Sequence, residues 1–222
     1  MMNEKEKLAR FYESHHASGN RYGFVFGDEM RIGFFTKWIG VGKRVLDLGC
    51  RDGSLTRFYA TGNTVTGCDI DRVALKKAEE IGIETHWLDL NQEFPFDPET
   101  FDVVVSGEIL EHVYHVDDFL SNVHRVLKPT GIFVGSVPNT FHLKHRFQFL
   151  IGKEFESDLS HVRKFNPAIL RETLERNGFV MEEAKGIGGR LFPLFPMFLA
   201  RFLIRVWPSL FSRTILFRAV KR

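Results

Sequence analysis

From Lys43 onward, short apolar runs alternate with amphipathic stretches. Arg44–Leu48, Thr64–Asp69, Glu84–Leu88, Phe101–Ser106 and Ile132–Val137 each read as a strand. The fourth is rich in β-branched residues, as suits a strand covered on both faces. Between them, Ser54–Tyr59, Arg72–Ile81 and Asp117–Leu127 read as helices, with Val73, Leu75, Ala78 and Ile81 expected to face inward. Pro129 and Gly131 are expected to stop the last of these. Asn166-Pro167 offers an N-cap and a first-turn proline for a helix reaching Arg176, closed by Asn177-Gly178. Phe179–Lys185 and Thr214–Val220 read as two more strands, and Pro138–Arg163 shows no clear period. Ahead of the alternation, helices are expected up to about His16, with Leu8, Phe11 and Tyr12 on one side, and over Asp28–Ile39. Such alternation through short loops demands right-handed crossovers and a mostly parallel, helix-covered sheet.

A composition of 44% hydrophobic and 26% charged residues in 222 suits a real core and excludes disordered or collagen-like chains. Two cysteines, Cys50 and Cys68, make neither a disulfide framework nor metal-ligand spacing. The charged start, Met1–Lys7, lacks the apolar stretch of a signal peptide, so a cytoplasmic location is expected. The net charge of +2 hides an asymmetry. All 28 acidic residues lie at or before Glu183 against 22 of the 30 Lys and Arg, so the remaining tail carries eight bases and no acid.

In a sheet of this kind, ligands sit beyond the carboxyl ends of the strands, where strand order reverses. Strand one ends in Asp47-Leu48-Gly49-Cys50-Arg51-Asp52-Gly53, strand two in Asp69, and strand three is followed by Asp89-Leu90. Three acidic strand ends in a row suggest a ligand with ribose hydroxyls and other hydrogen-bond donors. No Lys or Arg follows the pattern of a phosphate clamp, and Gly49-x-x-x-Gly53 preceded by Asp47 departs from the G-x-G-x-x-G of dinucleotide sites. A nucleoside without phosphate points to an S-adenosyl compound.

These residues resemble the D-x-G-x-G-x-G loop of class I S-adenosylmethionine-dependent methyltransferases. The resemblance continues through Thr66–Asp71, Phe101–Val104, Glu111-His112-Val113 and Arg125–Pro129, over roughly residues 28–185. It implies a Rossmann-like α/β fold: a mostly parallel seven-stranded sheet, helices on both faces, the last strand antiparallel and an apolar insertion before it. One domain is expected over 1–222, with an N-terminal helical cap (1–42), a cofactor-binding core (43–185), an apolar basic insertion (186–213) and the last strand (214–222). By the same resemblance Asp47, Gly49 and Gly53 flank the methionine part of the cofactor, Asp69 the ribose, and Asp89 and Leu90 the adenine, with Cys50 and Ile70 also expected among the cofactor-binding residues. Ser106 and Glu108 face cofactor or substrate. Arg51 stands where the pattern has its middle glycine; it is expected either to pair with the ligand carboxylate or to point to solvent.

Methyl transfer from a sulfonium is an in-line displacement governed by positioning and desolvation. Glu108, Glu111 and His112 are expected on adjacent helical positions, where they can hold a hard ion such as Mg²⁺, or His112 alone can act as general base. This E-x-x-E-H run resembles both the ubiquinone-pathway O-methyltransferases and the small-RNA 3′-terminal 2′-O-methyltransferases. Met30-Arg31-Ile32-Gly33-Phe34 resembles the R-L-G-Y segment of the quinone branch, which implies that Arg31 binds the cofactor carboxylate. His161 falls where that branch carries another histidine, which implies that it joins Glu108, Glu111 and His112. His15, His16, His115, His124, His142 and His145 fit no constellation and are expected at the surface.

Leu191–Ala200 is an apolar run too short to span a bilayer, followed by Arg201, Arg205 and Pro208. The tail can be a lid, a homodimer contact or, over 191–212, a peripheral contact with the inner membrane surface. The favoured reading is methyl transfer to oxygen of a small, apolar or lipid-like acceptor, by a monomer or homodimer. RNA methylation is disfavoured by the acidic first 183 residues. A cofactor-binding scaffold without methyl transfer is the reading from another class.

Overall fold

Successive side chains of a strand point to opposite faces, and here that alternation builds two cores. Val45, Val103, Val105 and Val134 share one face with Phe35, Trp38, Ile39 and Tyr59. Leu46, Leu48, Val104 and Phe133 share the other with Phe119, Leu120, Leu170 and Leu174. Truncating a fully buried member such as Phe35 or Phe119 removes about 3–5 kcal/mol of stability. The computed structural model describes residues 3–19, 21–25, 28–153, 158, 160–188 and 196–222.

The strands are β1 (Arg44–Leu48), β2 (Thr64–Asp69), β3 (Glu84–Trp87), β4 (Phe101–Gly107), β5 (Leu127–Pro138), β6 (Phe179–Ile187) and β7 (Thr214–Lys221), in the order β3-β2-β1-β4-β5-β7-β6. β1 to β5 pair in parallel, and β7 runs antiparallel to both neighbours. This is the doubly covered, seven-stranded arrangement that the pattern implies. The helices are α1 (Glu4–Ser18), α2 (Asp28–Ile39), α3 (Arg57–Ala60), α4 (Arg72–Glu80), α5 (Val116–Val126), α6 (Leu143–Leu150), α7 (Pro167–Arg176), α8 (Met197–Val206) and α9 (Pro208–Phe211). α2 and α3 cover one face of the sheet, and α5 and α7 the other.

Local chemistry explains several boundaries. Asn3 and Glu6 form a reciprocal capping box at the start of α1. Asp71 caps α4 through the Ala74 N–H, and Asn166 caps α7 through the Ile169 N–H, as its Asn-Pro start implies. Four details depart from the pattern. α6 lies inside the segment read as aperiodic. The stretch read as a helix from Ser54 is mostly turn, and α3 starts only at Arg57. In α4 the buried set is Ala74, Leu75 and Ala78, while Val73 and Ile81 are exposed. β5 begins directly after α5, so Pro129 and Gly131 lie in the strand's entry, beside an irregularity in its pairing with β4.

Strand order reverses between β1 and β4. Of the 1–42 segment, α2 packs against α3, β5 and β7, whereas α1 lies against α4, on the ligand end of the sheet.

Candidate active site

A cavity of about 540 Å³ opens at the carboxyl ends of β1, β2, β3 and β4, where a switch point predicts it. The turn after β1 forms its floor. The N–H groups of Gly49 and Cys50 both donate to the Cys68 carbonyl, at 2.7 and 3.0 Å. Gly49 has φ 78°, and any Cβ there would run into Ile109. Cys50 turns inward against Gly67, and burial pushes its thiol well up.

Asp47, Asp69 and Asp89 all line this one cavity and are nearly buried. Burial lifts the Asp47 carboxyl to about 6, even though the Thr56 and Tyr59 hydroxyls both donate to its Oδ2 at 2.6 Å. Burial also raises Asp69, against hydrogen bonds from the N–H groups of Asp71 and Arg51. Asp89 Oδ1 accepts from the backbone and side-chain amide of Asn91, both at 3.0 Å. Ile70 and Leu90 complete this wall. Arg31, almost fully buried, reaches the cavity from α2, and its guanidinium packs so closely on Gly107 that a Cβ there would collide with it.

Arg51 lines the cavity and does not point to solvent. Its backbone adopts φ 51°, the left-handed conformation a glycine would take, and its guanidinium bonds Asp52 (3.2 Å) and the Phe24 carbonyl. Gly53 and Ser106 are not on the cavity wall. Gly53, at φ 74°, lets the turn pass close to Ile81 and Ile83, and Ser106 is buried in the sheet between Leu48 and Gly135.

Glu111, His112 and His161 meet on the cavity wall, with one donor atom of each within 4.8 Å of the others. The expected four-residue set is therefore three. Residues 108–114 form a turn, not a helix, because Glu108 takes φ 60° at the end of β4. Glu108 lines the cavity outside the cluster. The Glu111 carbonyl accepts from the N–H groups of Val162 (2.9 Å) and Arg163 (3.2 Å), which draws His161 to its partners. His112 Nδ1–H donates to the Ser160 carbonyl at 3.2 Å, leaving Nε2 as an acceptor 4.0 Å from Glu111 Oε1. Burial, together with the nearby His161, lowers His112 to about 4, so it is neutral at pH 7.

A family model described as a methyltransferase domain matches residues 29–184. The chain belongs to the class I S-adenosylmethionine-dependent methyltransferase family. A Mycolicibacterium smegmatis protein assigned as an S-adenosylmethionine-dependent methyltransferase is 33% identical over 149 residues, 66% of this chain and 55% of that protein. The ubiquinone biosynthesis O-methyltransferase of Rickettsia bellii is 29% identical over 154 residues, 64% of each chain. The chain thus spans between half and two thirds of the length of these relatives. The solved 1,6-didemethyltoxoflavin-N1-methyltransferase of Burkholderia thailandensis, with 1,6-didemethyltoxoflavin and S-adenosylhomocysteine bound, shares the fold at TM-score 0.66 and 16% identity, over 100% of this chain and 92% of that one.

In this methyltransferase domain α1 also contributes to the cavity, which the sequence reading missed. Leu8, Tyr12 and His16, spaced by four, line it, and that spacing was the available signal. His15 and His16 are not free surface residues. His16 Nδ1 and the Tyr22 hydroxyl each lie 2.8 Å from Asp71 Oδ2, and His15 Nε2 lies 3.6 Å from Asp158. Burial opposes ionisation of Asp71, but bonds from His16, the Ala74 N–H and Tyr22 outweigh it and hold the carboxyl below its usual range. From the far side, Pro138, Arg213 and Thr214 close the wall.

Proposed function

We propose that the protein transfers a methyl group from S-adenosylmethionine to an oxygen of a small, apolar or lipid-like acceptor. The observation that supports this best is the convergence of Asp47, Asp69 and Asp89 on the cavity that also holds Glu111, His112 and His161. The sulfonium supplies an activated methyl group when the cofactor is bound. Asp69 accepts the ribose hydroxyls, while Asp89 and the Leu90 N–H meet the adenine. Both hydroxyl donors to Asp47 use Oδ2, so Oδ1 is left for the ammonium of the methionyl end, and Arg31 faces its carboxylate. Walls of Tyr12, Ile109 and Val113 exclude water from the nucleophile.

The Glu111, His112 and His161 donors fit a divalent ion. Two imidazoles and one carboxylate suit a borderline ion such as Zn²⁺ better than Mg²⁺, which prefers oxygen ligands and retained water. Such an ion would lower the pKa of an acceptor hydroxyl. Arg51, which replaces the middle glycine of the loop pattern, is held by Asp52 and the Phe24 carbonyl, so the loop keeps its turn despite the substitution. Calorimetry with S-adenosylmethionine, followed by a methyl-release assay over phenols, catechols and lipid quinols, tests the proposal. Release on a phenolic acceptor supports it; binding without release on any acceptor favours the scaffold.

A further inference from the structure

Two helices expose apolar side chains that a water-facing surface would not select. On α8, Ala200 and Ile204 are buried, while Phe198 (77%) and Phe202 (59%) face out with Arg201, Arg205 and Val206, and Trp207 follows, also exposed. On α6 and just after it, Phe147, Phe149 (71%), Leu150 (81%) and Ile151 are exposed. Neither segment carries an acid: residues 139–153 contain Lys144, Arg146 and Lys153 but no Asp or Glu, and none occurs after Glu183.

The topology brings both segments to one place. α6 follows β5, and α8 and α9 lie between β6 and β7. Thr214 pairs with both Pro138 and Ile187, so the three strands meet at the sheet end where the cavity opens. Asn139 joins the two segments: its side-chain amide donates to the carbonyls of Ser209 (3.0 Å) and Ser212 (2.9 Å), and its N–H to that of Arg213 (2.7 Å). The neighbouring Pro138, Arg213 and Thr214 line the cavity.

We propose that α6 and α8 form a docking face for an anionic lipid surface at the rim of the cavity. The outward aromatics enter the interface between headgroups and acyl chains, and Arg201 and Arg205 meet lipid phosphates. Among the described residues no helix is long and apolar enough to cross a membrane, so the contact is interfacial. A second copy is a poorer occupant. A two-fold contact of this face would bring the Arg201 and Arg205 of both copies into one interface with no acid in either segment to neutralise them. An apolar acceptor held in a bilayer would then reach the cavity along this rim, a consequence that rests on the proposed transfer reaction; the docking itself does not.

The test is co-sedimentation of the full chain with vesicles of phosphatidylcholine alone or mixed with phosphatidylglycerol, at low and high salt. The expected result is at least about ten-fold stronger partition onto the anionic vesicles, weakened by salt. F198S/F202S, F149S/L150S and R201E/R205E should each lower that partition about ten-fold. Calorimetry of the same variants with S-adenosylmethionine should match the unsubstituted chain, which separates a failure here from a failure of the proposed function. Equal partition onto both vesicle types, or unchanged binding by all three variants, overturns the proposal. So does a solution dimer that F198S/F202S converts to monomer.

Discussion

The Arg51 N–H donates to Asp69 Oδ2 at 2.8 Å, fastening the turn after β1 to the end of β2. The Asp71 N–H holds the other oxygen at 2.9 Å, so the carboxylate is fixed before any ligand arrives. Under the proposed function, that preorganisation would let the two ribose hydroxyls bind without ordering a side chain. Asp69→Ala should weaken S-adenosylmethionine binding at least about 100-fold, since hydrogen bonds to a charged group contribute about 1.5–3 kcal/mol each. Asp69→Asn should fall between. Calorimetric Kd values for the three proteins check this.

Asp47 gives a pH signature. Its folded-state value, about 6, lies above the 3.8 of an ordinary aspartate, so the folded protein holds that proton more tightly than the unfolded chain. Its contribution is therefore fully present below the unfolded value and is lost as pH rises to about 6, on the order of 3 kcal/mol. Asp47→Asn keeps an acceptor for Thr56 and Tyr59 and removes the titration. Urea unfolding should show the stability of the unsubstituted protein falling relative to Asp47→Asn across that window, with a constant difference above it.

The three-donor cluster separates from Glu108. Chelator treatment should abolish methyl release, with Zn²⁺ restoring it better than Mg²⁺. His161→Ala and Glu111→Gln should lose about 10²–10⁴-fold in rate with cofactor Kd unchanged. Glu108→Gln should retain metal binding, measured by inductively coupled plasma analysis of the dialysed protein.

Asn139 is a buried tie between the exit of β5 and the entry to β7. Asn139→Ala should destabilise by about 1–3 kcal/mol, a drop of several degrees in Tm for a chain of this size. Circular dichroism melts are the check.

Strands and their order of use were legible because buried β-branched runs and strand-end carboxylates carry their signal locally. The same locality explains why Asp47, Asp69 and Asp89 could be named as a group from sequence. What escaped was geometry set by tertiary contact. Glu108 reads as the first residue of a helical E-x-x-E-H run, yet its left-handed φ turns the chain and leaves it out of the cluster. His16 reads as a surface residue, yet its partner Asp71 lies 55 positions away. α6 went unread because its outward face is apolar, which erases the periodic contrast that marks a surface helix. The run Leu191–Phe195 lies outside the described residues.

A crystal structure of the protein with S-adenosylhomocysteine tests the account most directly. The ribose hydroxyls should lie within hydrogen-bonding distance of the Asp69 carboxylate, with the adenine beside Asp89 and Leu90 and the sulfur turned toward His112. A nucleoside bound away from β2, or with Asp69 facing no part of it, would contradict the account.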